Sequence, residues 1–331
     1  MQADIWVLAD HRIGTATQAI AIAENLKLNS GFSFEIKRLH YNFLAHLPNF
    51  LLGATTVHID KSASSSLTEP LPKIIISAGR RAASVALALK SLGKNLAQDI
   101  KIIHIMRPFL DIHKFDLIIL PQHDDFKPSP NIFRIIGSIH NASDKMKQSS
   151  ESFKKTYPAI GRFIALCIGG STKNYTFSTE DAMQVLAAVV KISRNHGLPV
   201  FISFSRRTPP QVKAIFRDAF DWPHIIYDPL DCQSDQTAYN PYYGMLAQCS
   251  FLIMTCDSIS MCSEATASGR PIYIYCPKKA NMPKHKYFVQ QLVDLKIARL
   301  LEPSTETLED YNYVPFNESL KVANFIKENI L

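Results

Sequence analysis

The chain has 331 residues, 47% hydrophobic and 20% charged, an ordinary globular balance with length for two domains of roughly 150 residues each. No apolar run approaches the ~18 residues of a membrane span. The first residues run straight into a strand pattern, without the basic region, apolar core and cleavage site of a signal peptide. Net charge is +7, concentrated in residues 1–155, which hold 19 Lys/Arg against 13 Asp/Glu. Such a basic half suits nucleic acid, an anionic membrane or an anionic substrate. With no zinc-finger or RNP signature and no dense basic run, nucleic acid is not expected.

Taken in order, Ile5–Ala9 reads as a short buried strand, followed by Asp10-His11, Gly14 and Gln18 and a helix to about Leu28. Strands follow near 32–37, 73–77, 100–106, 116–120 and 131–136. Ala78-Gly79-Arg80-Arg81 opens a helix after the third strand, and Gln122-His123-Asp124-Asp125 follows the fifth. Alternation of this kind means a parallel, doubly wound sheet with function at the strands' carboxyl ends. Gly14, Gly79, Arg80, Arg81, Arg107, His123 and Asp124 all fall at that edge. Each taken singly also fits a turn residue or surface charge; their recurrence after successive strands is the argument. Residues from about Ser138 to Ile160 turn polar and read as a connector with some helix.

A second α/β series starts at Arg162–Ile168, ending in Gly169-Gly170-Ser171. Paired glycines let backbone approach a ligand closely, although this is neither a Walker A nor a GxGxxG sequence. A helix over 178–195, a strand over 199–203 and Ser205-Arg206-Arg207-Thr208 come next. Two arginines at a strand end suit a diphosphate or carboxylate, with an exposed ion pair as the plainer alternative. A strand at 224–227 leads to Asn240-Pro-Tyr-Tyr-Gly244 and a short helix.

Phe251–Pro277 then reads as strand, polar turn, helix and strand. Asp257 is placed as the helix N-cap, with Ser258 and Ser260 beside it and Glu264 one turn deeper. A helix start carrying free amides, a positive dipole end and two hydroxyls is an anion site. Glu264 could then accept from paired sugar hydroxyls. Simple capping and a solvated glutamate remain the alternative. Further helices begin at Met282-Pro-Lys-His-Lys286 and at about Phe316. No Asp-x-Asp or clustered His/Cys set is present, so no metal is expected. The six cysteines, at 167, 232, 249, 256, 262 and 276, form no CxxC pair and read as reduced, buried thiols of a cytoplasmic protein.

Seven motifs occur in order: Asp10-x-x-x-Gly14-x-x-x-Gln18, Ala78-Gly-Arg-Arg81, Pro121-x-His-Asp124, Ile168-Gly-Gly-Ser171, Ser205-Arg-Arg-Thr-Pro209, Asn240-Pro-Tyr-x-Gly244 and Asp257-Ser-x-Ser-Met-x-Ser-Glu-Ala265. Together they resemble, over nearly the whole chain, the mitochondrial fission family named for the plant "elongated mitochondria" factor. Two departures fall in the first loop: Asp10-His11 where the family commonly has Asp-Gly, and Gly14-Thr15 where it often has Gly-His. More distantly the family is similar to the GT-B glycosyltransferases.

That resemblance implies two Rossmann-like domains facing a cleft, with helices on both faces of parallel sheets. The domains would cover 1–150 (acceptor) and 151–315 (nucleotide-sugar), with a helix over 316–331 packing back on the first. Ligand contacts would come from Gly14, Gln18, Gly79, Arg80, Arg81, Gly169, Gly170, Ser171, Arg206, Arg207, Thr208, Asn240, Asp257, Ser258, Ser260 and Glu264. Base candidates are Asp10, which matches the family motif, then His11, His123 and Asp124 without rank. The implied activity is metal-independent sugar transfer from a nucleotide-sugar donor to an acceptor hydroxyl, with no cofactor. The rival is a non-catalytic adaptor using the same fold for protein or membrane contact. Under either reading the protein would be cytoplasmic, with its basic first half suited to peripheral contact with the anionic inner face of a membrane. A hydrolase or epimerase acting on nucleotide-sugars is a third reading, without a GxSxG elbow to support it.

Overall fold

The structure, a computed structural model, describes residues 3–10, 13–172, 175–231, 239–278 and 280–331. The first series opens with β1 (Ile5–Asp10), buried along its whole length as a strand covered on both faces must be. It continues through α1 (Ile13–Ser30), β2 (Phe34–Leu39), the single-turn α2 (Asn49–Leu52), β3 (Ile74–Ala78) and α3 (Arg80–Asn95). β4 (Lys101–Ile105), β5 (Leu117–Pro121) and β6 (Ile132–Ile135) complete a parallel sheet of order β2-β1-β3-β4-β5-β6. Alternate residues supply its two faces. Ile5 and Val7 pack with Ala19, Ile22 and Leu26 of α1, whereas Trp6 and Leu8 pack with Ala82, Val85 and Leu89 of α3.

The second series comprises α4 (Ala142–Thr156), β7 (Ile164–Ile168), α5 (Thr179–His196), β8 (Val200–Phe204), α6 (Pro210–Asp218) and β9 (His224–Tyr227). It continues with α7 (Tyr242–Gln248), β10 (Phe251–Thr255), α8 (Ile259–Thr266), β11 (Ile272–Tyr275), α9 (Pro283–Asp294) and β12 (Ala298–Leu300). Its parallel sheet runs β12-β11-β10-β7-β8-β9. Renumbered from β7, that is the doubly wound order 3-2-1-4-5-6. A last helix, α10 (Glu318–Asn329), follows.

The chain forms two compact units, Met1–His140 with Asn317–Leu331, and Asn141–Phe316. In the first, α10 lays Val322, Ala323 and Ile326 into the same core as α1. The expected polar connector is instead largely α4, part of the second unit. Ala142, Met146 and Phe153, spaced i, i+4, i+11, make a narrow buried stripe on an otherwise polar helix. α4 lies so close to α7 that a Cβ on Gly244 would come within 2.5 Å of the Phe153 Cβ. β12 and α2 are further elements that sequence reasoning did not find. The five described cysteines are free thiols, four of them buried. Among the described residues no helix is long and apolar enough to cross a membrane, and no group of three His, Cys, Asp or Glu residues gathers as a metal site.

Candidate functional site

In the second sheet the connections run outward in both directions from the neighbouring strands β7 and β10. The loops that follow these two strands therefore leave to opposite sides, and a crevice opens at their carboxyl ends, where doubly wound sheets bind ligands. Gly169-Gly170-Ser171 ends one strand and Cys256-Asp257-Ser258 the other.

Asp257 ties the two together. Its buried carboxylate accepts from the Gly170 amide at 2.7 Å and from the Thr255 hydroxyl at 2.6 Å. Thr255 in turn accepts from the Gly169 amide at 2.8 Å. The expected helix cap is therefore not Asp257 but Ser258, whose hydroxyl accepts from the Met261 amide. Asp257 is turned inward because the β7 loop offers a buried amide that needs an acceptor. Burial pushes its carboxyl above the usual range, opposed by the Thr255 and Gly170 hydrogen bonds and by Arg207.

The paired glycines serve this knot. A Cβ on Gly169 would meet Asp257 Oδ2 at 2.1 Å, and one on Gly170 would meet the Arg207 carbonyl oxygen at 2.1 Å. Protein atoms thus fill the space the missing side chains leave. Thr208, buried, hydrogen-bonds the Ile168 carbonyl at 3.1 Å and also the Gly169 carbonyl. Ser171 accepts from the Phe177 amide. Arg207 differs: its side chain is 46% exposed, lies 3.5 Å from Asp257 Oδ2 and donates to the Ser171 carbonyl at 3.2 Å. Arg206 beside it is exposed. A half-exposed guanidinium therefore sits over the crevice, held from below by a buried carboxylate.

One residue here was not singled out by sequence reasoning. His285, in the first turn of α9, is half-buried against the same knot. Burial lowers its imidazole pKa, the Asp257 carboxylate raises it and the Arg207 guanidinium lowers it again. Its position at a helix start after β11 was the available signal, because that is again the carboxyl edge.

On α8, Ser260 is exposed and Glu264 half-buried. The Tyr243 hydroxyl donates to Glu264 Oε1 at 2.9 Å. Burial raises the Glu264 carboxyl, while Tyr243, Tyr242 and the more distant Lys145 lower it. Lys145 of α4 lies over the Tyr243 ring at 5.1 Å. Asn240, just before α7, accepts from the Tyr242 amide at 3.0 Å.

Toward β11 and β12 a cavity of about 530 Å³ is lined by Tyr175, Ser178, Asp181, Gln184, Tyr275 and Cys276, among others. The Asp181 carboxylate accepts from the Tyr175 and Tyr275 hydroxyls at 2.9 and 3.3 Å. Asp257 is near enough for its charge to help raise the Tyr175 phenol, although burial is the main cause.

In the first unit the sheet reverses between β1 and β3. Asp10, at the end of β1, pairs with Arg81 at 2.6 Å, and the Arg81 guanidinium lies 4.6 Å from the centre of the Tyr41 ring. Gly79 begins α3 with φ 78°, and a Cβ there would come 3.0 Å from Thr15. Gln18 donates to the Gly14 carbonyl within α1. Arg80 points away from this edge, to the Leu47 and Ala45 carbonyls at 2.5 and 2.6 Å. His123 and Asp124 follow β5, three strand steps from β1, or about 14 Å. The geometry joins Asp10 to Arg81 and keeps both apart from His123 and Asp124. His11 lies outside the described residues.

Two Rossmann-type units, each reversing strand order at a polar edge, define a GT-B-like α/β protein. The chain belongs to the mitochondrial fission ELM1 family, whose profile matches residues 13–330. It is 40% identical to the uncharacterized protein RP120 of Rickettsia prowazekii over 98% of both chains. It is 22% identical to the mitochondrial fission protein ELM1 of Arabidopsis thaliana, over 85% of this chain and 69% of that one. In fold it is similar to the UDP-GlcNAc 2-epimerase of Methanocaldococcus jannaschii, solved with UDP-GlcNAc and UDP, with TM-score 0.54, 12% identity and coverage of 98% and 99%. The Neisseria meningitidis UDP-GlcNAc 2-epimerase, bound to UDP-GlcNAc, is similar with TM-score 0.51, 12% identity and coverage of 98% and 99%.

Proposed function

We propose that the second unit binds the diphosphate of a nucleotide-sugar at the crevice between β7 and β10, and that the protein transfers the sugar without a metal. The observation that carries this reading is Arg207, half-exposed over a strand-order reversal and braced by buried Asp257. A diphosphate there would meet the guanidinium, the dipole end and first-turn amides of α8, and the hydroxyls of Ser258 and Ser260. These groups would stabilise charge on the departing diphosphate. The adjoining cavity of about 530 Å³ has the size of a small-molecule site, with room for a nucleoside. The UDP-bound epimerases of similar fold support a uridine nucleotide as the first ligand to try. Asp10 is the favoured base in the first unit, with the Arg81 guanidinium 2.6 Å away orienting its carboxylate.

A second reading, the non-catalytic adaptor, is favoured by the internal satisfaction of Gly169, Gly170 and Glu264. The two differ in nucleotide binding. We expect one member of a panel of UDP, GDP, CMP, ADP and their sugars to raise the melting temperature. At about a hundred times its dissociation constant a ligand adds roughly 2.7 kcal/mol to the folded state. Arg207→Ala should abolish most of that response. A folded protein indifferent to the whole panel would leave the adaptor.

A further inference from the structure

We propose that the β2–β3 connection of the first unit is a docking surface for an anionic phospholipid membrane. Phe43 and Phe50 are 79% and 78% exposed, Leu51, Val57 and Phe109 are more than half exposed, and Leu47 is partly so. At 150–250 Å² per aromatic side chain, the two connection phenylalanines alone present on the order of 300 Å². That matches the largest apolar patch of a typical monomer.

These side chains are not on a loose loop. Asn42 accepts from the Leu44 amide at 3.0 Å and donates to the Val57 carbonyl at 2.8 Å. Asn49 is buried and donates to the carbonyls of Arg80 and Pro108 at 2.7 and 2.6 Å. Arg80 holds the Ala45 and Leu47 carbonyls from beneath. Asn42 and Asn49 thus serve as anchors while Phe43, Phe50 and Leu51 between and beside them face solvent, the reverse of an ordinary surface loop. The Pro108 contact brings Phe109 to the same collar, with the Arg107 guanidinium 5.2 Å from its ring centre.

Charge selects the occupant. Residues 40–59 contain no Asp or Glu. Immediately beyond, a pocket of about 600 Å³ begins at Ala54 and is lined by Lys90, Lys94, His113 and Lys114. The acid in its wall, Asp99, is 2.9 Å from Lys101, and Lys90 pairs with Asp116. Lys94 and Lys114 make no ion pair among the described residues. A second copy of this chain would bring the same cations against them, whereas phospholipid phosphates complement them while the collar enters the acyl boundary.

The test is co-sedimentation of the whole chain with phosphatidylcholine vesicles, with and without phosphatidylglycerol. Binding to the anionic vesicles, weakened by salt, is expected. Phe50→Ser with Leu51→Ser, and separately Lys94→Gln with Lys114→Gln, should each lower partitioning roughly tenfold or more. All four positions are at the surface, so the variants should melt with the wild type, which shows that a loss is not unfolding. Failure of the folded wild type to sediment at low salt overturns the proposal, as does wild-type binding by either variant. A concentration-dependent dimer that the Phe50/Leu51 variant abolishes, with no vesicle binding, would overturn it in favour of a chain–chain interface.

Discussion

Gly169 and Glu264 show how residues that suggest ligand contacts can be occupied by the protein's own atoms. Paired glycines after a strand suggest a phosphate loop, yet the space above Gly169 holds the Asp257 carboxylate at 2.1 Å from where a Cβ would sit. Gly169→Ala should therefore destabilise the second unit by about 1–3 kcal/mol as an overpacking substitution, measured by urea unfolding without nucleotide. No loss would mean the knot relaxes easily. For Glu264 the folded carboxyl binds its proton more tightly than the unfolded one, its pKa being raised above 4.5. Its contribution is therefore present below pH 4.5 and is lost as pH rises through the folded value. Glu264→Gln keeps an acceptor for Tyr243 but does not ionise. Its stability relative to wild type should improve from acid to neutral pH, and a difference constant with pH would refute this. The sequence placed Arg207 and Asp257 at a strand edge because strand ends follow from composition. It could not show that Asp257 faces inward, because carboxylate orientation depends on an amide 87 residues away in the chain.

At the scale of elements, β3 and β4 share a polar pair inside an apolar sheet. Ser77 and His104 are register partners, both buried, with 2.8 Å between Ser77 Oγ and His104 Nδ1. His104 also lies against Phe115, ring centres 5.2 Å apart. Burial lowers its pKa from 6.5 to about 3. A depressed histidine stabilises the fold fully above pH 6.5 and loses that contribution as pH falls through the window from 6.5 to about 3. At 1.36 kcal/mol per unit, the loss approaches roughly 5 kcal/mol at the acid end. His104→Leu should flatten acid unfolding over that window, and an unchanged slope would assign the acid sensitivity elsewhere. The strands themselves were legible, because runs such as Ile74-Ile75-Ile76 and Leu117-Ile118-Ile119 admit little else. α4 was not: two large apolar residues among fifteen are too sparse to distinguish a packed helix from a polar connector. Its partner signal was Gly244 on α7, whose meaning appears only once the two helices touch.

For the whole molecule, the consequential feature is how the chain is partitioned. The second unit is one continuous segment, Asn141–Phe316, whereas the first needs Asn317–Leu331 to complete it. Val322, Ala323 and Ile326 of α10 are fully buried or nearly so, in the core shared with Ala19, Ile22 and Leu26 of α1. Asn25 of α1 bonds the Ser319 hydroxyl at 3.3 Å, and Ser319 donates to the His140 carbonyl at 2.8 Å. Ile326→Ala should thus cost about 2–5 kcal/mol, all of it in the first unit. A segment spanning 141–316 carries α4, its own sheet and the whole Asp257–Arg207–His285 cluster. Expressed alone, it should melt cooperatively and respond to the same nucleotide as the full chain, with Arg207→Ala abolishing that response. It should not sediment with anionic vesicles, because the collar around Phe43 and Phe50 belongs to the other unit. If instead the isolated segment folds but ignores a nucleotide that the full chain binds, the donor site requires residues of the first unit. The crevice between β7 and β10 would then not suffice as the site.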